Sequence, residues 1–269
     1  MGLSINSNIP ALNAGRQTRN ANQIVQTAIE QLGSGRRINR AADDAAGLAI
    51  AERFNTLARQ GQVEVNNLQS GYNAAQTAEG GLATQQDATQ RLRDLALQAS
   101  NGTLNDEQRE AINVEAQQLV QQIGETAENT EFNETQLLNG STAAMELGTE
   151  GENRLNLPNS TPAALGIDTI DLSTQAGATA AIDQIDSAQQ NIDQSRASLG
   201  AQQNRFESAI NQREIQRENS LAAESAIRDL DFAEGAVDQA RGEVLLQGSI
   251  GALIQGNVTP QSALRLLGG

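Results

Sequence analysis

Apolar residues recur along this chain at the three-and-four spacing of helix packing over nearly its whole length. In the stretch 220–267, Ala226, Leu230, Ala233, Val237, Ala240 and Val244 follow one another at intervals of 4, 3, 4, 3 and 4, the seam of a helix that packs lengthwise on another. Ala alternates with Leu or Val there, so the pattern predicts a partner whose backbone comes close. That partner is a long helix in this chain or in the next copy. Near the other end Ala21, Ile24, Ala28 and Leu32 mark a second stripe over about 12–32, closed by Gly33, Ser34 and Gly35. The simplest architecture pairs the two termini and makes everything between them an excursion.

The excursion is also mostly helical in pattern. Asp43 and Asp44 precede Ala45 and Ala46 as cap residues. From there Leu57, Gly61, Val65, Leu68, Tyr72 and Ala75, then Leu82, Ala88, Leu92, Leu95 and Ala99, trace one face as far as the Asn101-Gly102 turn. At ~1.5 Å per residue, a continuous helix over 45–100 is about 80 Å long. Asn105 with Gln108 three residues on reads as a capping box, followed by the stripe Ile112, Ala116, Leu119, Ile123 and Ala127. Beyond Phe132 the composition turns to Gly, Thr, Asn and Pro. There Met145-Glu146-Leu147 and Arg154-Leu155-Asn156-Leu157 alternate as a short hairpin around 148–153, and Leu165 to Leu172 adds a strand or a turn. From Ala178 onward Ile185, Ile192, Leu199 and Phe206 recur every seventh residue, with Ile182 and Ile210 on the adjoining seam. Gln189, Arg196 and Gln203 lie between those two, and polar residues at such positions set register. Prolines stand only at 10, 158, 162 and 260, which leaves 11–157 and 163–259 free of helix breakers. The fold expected is mainly α: long antiparallel helices forming a coiled-coil rod, with a small β-hairpin region.

Composition narrows the function classes. Only 2% of the residues are aromatic and Trp is absent, which suits narrow rods rather than a broad core. Eighteen cations, all of them Arg, face 33 carboxylates for a net charge of −15, so nucleic acid is not an expected partner. Without Cys or His, thiol chemistry, zinc sites, imidazole bases and Ser-His-Asp constellations are excluded. No catalytic, cofactor-binding or metal-ligating residue is proposed, and no cofactor. The N-terminal Met1-Gly2-Leu3-Ser4-Ile5-Asn6 has neither the basic-then-apolar order of a secretory signal nor a Ser or Thr at position 6 for myristoylation. No window approaches the ~18 apolar residues of a membrane span, so no membrane partner is expected. The connector 36–40 is basic but lacks the lysine and spacing of a phosphate loop.

Two passages resemble the bacterial flagellins. Gln31-Leu32-Gly33-Ser34-Gly35-Arg36-Arg37-Ile38-Asn39-Arg40-Ala41-Ala42-Asp43-Asp44-Ala45-Ala46-Gly47-Leu48-Ala49-Ile50 is similar to the family's N-terminal signature, and Ala197-Ser198-Leu199-Gly200-Ala201-Gln202-Gln203-Asn204-Arg205-Phe206 to its C-terminal one. Further matches are Gln90-Arg91-Leu92-Arg93-Asp94-Leu95-Ala96-Leu97-Gln98, Glu131-Phe132-Asn133 and Val258-Thr259-Pro260-Gln261. The hook-filament junction protein shares both ends of this family, but it carries a Pro after the paired Asp where Ala45 stands here.

The resemblance implies five segments: an inner-tube helix and connector at 1–44, rod helices at 45–134, the β-hairpin region at 135–177, a rod helix at 178–222 and an inner-tube helix at 223–269. N- and C-terminal segments would pair into two discontinuous domains, with the variable outer domain of many flagellins missing. It implies a subunit that polymerises with itself into the extracellular flagellar filament, a propeller for swimming. Ile24, Ala28, Leu32, Leu230, Val237 and Val244 are the assembly seam candidates. The implied partners are a flagellin export chaperone on the C-terminal tail, the filament cap and the hook-filament junction protein, after type III export. Some flagellins are also bound by an animal Toll-like receptor, and Arg91, Leu95 and Glu115 stand at that motif's contact positions, with Asp94 in place of a Glu. O-linked glycans would fall between Ser141 and Ser173.

Three other classes are compatible with parts of the pattern. The heptads alone permit a coiled-coil adaptor with no filament. The junction protein shares the terminal passages. Glycoside cleavage needs only carboxylates, but it also needs a pocket domain that no segment is left to build.

Overall fold

The computed structural model describes residues 8–148 and 153–267, apart from the side chains of 259–267. The N-terminal segment before Asn8 and the hairpin tip at 149–152 lie outside the described residues. The elements run α1 (Ile9–Ser34), α2 (Ala45–Ala99), α3 (Asp106–Asn129), β1 (Glu131–Phe132), β2 (Thr135–Gln136), β3 (Ala144–Glu146), β4 (Arg154–Asn156), α4 (Pro162–Leu165), α5 (Gln175–Arg228) and α6 (Phe232–Leu267). They form two compact units, Met1–Ala58 with Glu218–Gly269, and Arg59–Arg217. Helix α2 begins at the expected edge 44/45, and α2 and α5 each continue from one unit into the other.

In the unit Arg59–Arg217, the predicted stripes converge on a single apolar core. Leu68, Leu82, Leu92 and Leu95 of α2, Ala116 and Ile123 of α3, and Ile185, Ile192, Leu199 and Phe206 of α5 are buried together. Each helix contributes one face, and the seventh-residue recurrence in α5 is that face. The polar seam beside it bridges to α2. Arg196 donates to Glu79 at 2.7 Å and to Gln86, Gln86 donates to Asp193, and Arg93 pairs with Asp186 at 2.6 Å. Stepping back seven residues along α2, from Arg93 to Gln86, moves the partner seven forward along α5, from Asp186 to Asp193, so the pairs fix an antiparallel register.

The α3 start is the expected capping box: the Asn105 Oδ1 accepts from the Gln108 N–H at 2.8 Å and the Gln108 Oε1 accepts from the Asn105 N–H at 3.1 Å. Sequence patterning gave no sign of Arg109, a buried cation in the same turn. Its Nε donates to the Ala99 carbonyl at 3.0 Å and a terminal nitrogen to that of Asn101 at 3.1 Å, closing the C-terminal end of α2. Gln85 is likewise buried, donating to the carbonyls of Ile123 and Ser160.

Two hairpins follow α3. In the first, Phe132 pairs with Thr135 across Asn133 and Glu134, whose φ of 50° and 63° make the connecting turn left-handed at both positions. The second pairs Met145 with Leu155, as the alternation predicts. Its Leu147 lies so close to α2 that a Cβ on Gly71 would stand 2.1 Å from the leucine Cδ1. The stretch after Pro162 is a helical turn and loop rather than a further strand. Thr161 caps α4, Gly166 reverses the chain at φ 72°, and Ile167, Ile170 and Leu172 are buried. Side chains of α3 replace a ladder there: Asn113 accepts from the Leu172 N–H and Gln117 donates to the Ile170 carbonyl.

In the other unit, α1 and α6 lie antiparallel. Asn8 caps α1 and also donates to the Gly256 carbonyl at 3.0 Å, while Gly35, at φ 70°, ends the helix. The two links out of this pair run side by side, antiparallel. The Leu230 N–H donates to the Gly35 carbonyl and the Arg37 N–H to that of Arg228, with Arg36 bridged to Asp229. The basic connector is therefore a docked structural link. Ile38 is its buried anchor, and Asp44 caps α2 by accepting from the Gly47 N–H. Asp43 accepts from the N–H groups of Arg40 and Asn39, which hold its carboxyl below the usual pKa of 3.8.

Candidate assembly interface

The α1/α6 seam is built almost entirely from small residues. On α1, Ala14, Ala21 and Ala28 recur every seventh residue and are buried. On α6 the facing positions are Gly235, Gly242 and Ser249, also seven apart and buried, with Gly256 half-buried one step further. Backbones touch as a result. A Cβ on Gly242 would stand 2.8 Å from the Val25 Cγ2 and 3.3 Å from its backbone nitrogen. At Gly256 it would be 3.3 Å from the backbone nitrogen of Ala11.

Within one chain, α1 packs on a different face of α6 from the stripe read in the tail. Leu230 is half-buried near Gly235, but Val237 is 65% and Val244 69% exposed, and Ala226, Ala233 and Ala240 are exposed as well. On α1, Ala28 lies in the seam and Leu32 is half-buried beside Gly235, whereas Ile24 is 41% exposed. Hydropathy favours the large residues, yet two helices so close have no room for them, and glycine scores poorly on any apolar scale. The readable signal was small residues at every seventh position in both helices.

The consequence is a helix pair with its larger apolar side chains turned outward. Besides Ile24, Val237 and Val244, the unit exposes Ile9, Leu12, Ile29, Phe232, Leu245, Ile250 and Ile254. A shallow groove of about 340 Å³ runs along the pair between Ala14, Ala21 and Ile24 on one side and Val244, Gly248 and Ala252 on the other. So much exposed apolar surface on one pair of helices marks a protein-protein contact.

The receptor candidates divide. Arg91 of α2 and Glu115 of α3 are both exposed and form an ion pair at 2.7 Å, in which the hydrogen bond that Glu115 accepts from Arg91 and the carboxylate's charge raise the arginine pKa. Leu95, one turn along α2, is only 2% exposed and belongs to the core. No group of three or more potential metal ligands occurs among the described residues, and no helix there is long and apolar enough to cross a membrane.

Known proteins match most of this chain. Residues 5–143 match the bacterial flagellin N-terminal helical region and residues 182–267 the bacterial flagellin C-terminal helical region. A flagellin of Halalkalibacterium halodurans is 40% identical over 270 residues, covering 98% of this chain and 99% of that protein. The flagellar filament core protein flaB2 of Brachyspira hyodysenteriae is 36% identical over 282 residues with the same coverage. Among solved structures, Bacillus cereus flagellin is similar at 27% identity and a TM-score of 0.50, over 55% of this chain and 88% of that one. Both signature passages fall inside the matched regions, and this chain belongs to the bacterial flagellin family.

Proposed function

We propose that the chain is a structural subunit that polymerises with copies of itself into the extracellular helical filament of the bacterial flagellum and acts there as the propeller for swimming. The observation that carries this reading is the outward apolar surface of the α1/α6 pair, including Ile24, Val237 and Val244. Neighbouring copies would supply the cover that the seam of small residues cannot give. Burying apolar surface contributes about 25 cal/mol per Å², so each added contact both extends the polymer and stabilises the pair. Negative-stain electron microscopy of the purified full chain beside a version ending at Ala223 tests this. Long uniform filaments from the full chain and none from the truncation are expected. If both stay small in solution, the polymer reading fails and a coiled-coil adaptor takes its place.

Three accessory partners follow from the same reading. An export chaperone would cover the apolar tail before secretion, the filament cap would place each subunit, and the hook-filament junction protein would carry the first ones. Co-purification of an export chaperone with the full chain and not with the Ala223 truncation is the expected result.

A second reading concerns animal hosts. The exposed Arg91–Glu115 pair favours contact with a Toll-like receptor, and the burial of Leu95 confines that contact to the pair. A cell reporter should lose response on Arg91→Ala. An unchanged response would reject receptor binding through this site.

A further inference from the structure

Two Asn-Gly pairs occur in the chain, Asn101-Gly102 and Asn139-Gly140, and the fold treats them differently. Glycine after asparagine leaves the side-chain amide open to attack, because no Cβ shields the next main-chain nitrogen. Asn101, Gly102 and Thr103 are exposed in the turn between α2 and α3. The Asn101 Oδ1 accepts two hydrogen bonds there, from the Thr103 N–H and from the Thr103 hydroxyl, both at 3.1 Å. Two donors on one carbonyl oxygen polarise its carbon and stabilise negative charge that develops on the oxygen. Among the described residues neither the Asn101 Nδ2 nor the Gly102 N–H makes a hydrogen bond. Nucleophile and leaving group are therefore both free. At half-buried Asn139 the same groups are tied down. Its Nδ2 donates to Gln136, its Oδ1 accepts from the Ser141 N–H, and its main chain is bridged to Asn159. Gly140 holds a φ of 78° with Asn159 packed against it. Asn159 itself has the double donor, from Thr161, but the nitrogen that would attack belongs to buried Ser160 and donates to the Leu138 carbonyl at 2.8 Å. Of the three, Asn101 alone combines the donor pair with a free glycine nitrogen.

We infer that Asn101 is a self-modification site, at which Thr103 supplies the oxyanion donors for ring closure by the Gly102 nitrogen and the product is aspartate or isoaspartate. Hydroxide from solvent takes the Gly102 N–H proton. The nitrogen lone pair then forms a bond to the Asn101 Cγ while the carbonyl π pair moves onto Oδ1. Collapse of that oxyanion breaks the Cγ–Nδ2 bond, and the nitrogen leaves as ammonia with a proton from water, which regenerates hydroxide. Water opens the resulting succinimide. Attack at Cγ gives aspartate. Attack at the main-chain carbonyl carbon gives isoaspartate, in which the chain runs through the side chain and the former Asn101 carbonyl becomes a free carboxylate. One water is consumed and one ammonia released, with no oxidation or reduction. The isoaspartate branch already has a partner, since the Asn101 carbonyl oxygen accepts from buried Arg109 at 3.1 Å. A negative charge on that oxygen strengthens the bond.

The test incubates the folded full chain in mildly alkaline buffer and follows positions 101 and 139 by peptide mass spectrometry, with enzymatic methylation to count isoaspartate. Asn101 should be lost well ahead of Asn139, whereas in guanidinium chloride the two Asn-Gly pairs should react at similar rates. No loss at 101, equal loss at both positions in the folded chain, or the same preference in the denatured one overturns the inference. Thr103→Ala should slow the reaction at 101 about fivefold, the worth of one net hydrogen bond, and Thr103→Ser, which keeps the hydroxyl, should restore it. A Thr103→Ala rate equal to wild type overturns the role of the threonine. The isoaspartate share at 101 should be higher in the folded chain than in the denatured one, and an equal share overturns the part given to Arg109.

Discussion

The two units solve helix packing in opposite ways. Between α2, α3 and α5, Leu, Ile and Phe side chains fill the space, and Leu82, Leu92, Ile192, Leu199 and Phe206 are fully buried. Between α1 and α6 the buried positions are Ala on one helix and Gly or Ser on the other, and most of the larger apolar residues are exposed. One unit therefore keeps its apolar surface for itself and the other presents it. Of the buried hydrophobic residues described in the terminal unit, all but Ile38 are alanines, so little transfer free energy from them holds that unit closed. A subunit so divided has a permanent part and a part completed by neighbours.

That contrast can be broken most severely at Phe206. Truncating it in Phe206→Ala should remove roughly 3–5 kcal/mol from the unit Arg59–Arg217, read as a lowered denaturant midpoint of the soluble protein. Val237→Ala and Val244→Ala should leave the same midpoint within about 0.5 kcal/mol while raising the concentration needed for filaments. Equal losses from the core and the exposed positions would erase the distinction between the units.

The seam itself is tested by Gly242→Ala. The added methyl meets both the side chain and the backbone of Val25, an overpacking cost of about 1–3 kcal/mol. Hydrogen exchange should quicken in α1 and α6 and stay unchanged at α3 amides. A smaller effect of opposite sign is expected in the first hairpin. Glu134 holds a left-handed φ of 63°, which glycine adopts without strain, so Glu134→Gly should stabilise its unit by about 1 kcal/mol. An unchanged or lowered midpoint would show that the glutamate side chain compensates for its backbone.

Acid should act weakly and on both units. Backbone N–H groups of Arg40 and Asn39 lower the pKa of Asp43, and hydrogen bonds from Ser173 lower that of Asp171. A depressed folded-state pKa gives stability that is fully present above the unfolded value of 3.8 and is lost as pH falls through the folded one. The connector and the α4–α5 loop should therefore loosen below about pH 4. Asp43→Asn should flatten that acid dependence at connector amides alone.

Most of the fold was legible because it is written in large residues. The stripes of α2, α3 and α5, the capping box at Asn105 and the Met145 to Leu157 hairpin all depend on side chains whose hydropathy or hydrogen bonding stands out in a row of letters. The interface was legible only in part. Close backbone contact is encoded by what is missing, the absent Cβ at positions such as Gly242 and Gly256, so the packing inside one chain lies one face away from the stripe that hydropathy marks. Arg109 and Gln85 escaped for a related reason. Their partners are carbonyls of other segments, and a backbone acceptor leaves no mark in the sequence.

The hydrogen bond from Asn8 to the Gly256 carbonyl joins residues 248 apart. Closing so long a flexible loop costs roughly (3/2)RT ln n, about 5 kcal/mol beyond a constant. A seam of alanine and glycine has little with which to offset that. Order of events follows: the excursion must shorten itself by folding first, and the two ends of the chain then meet as the last step rather than the first.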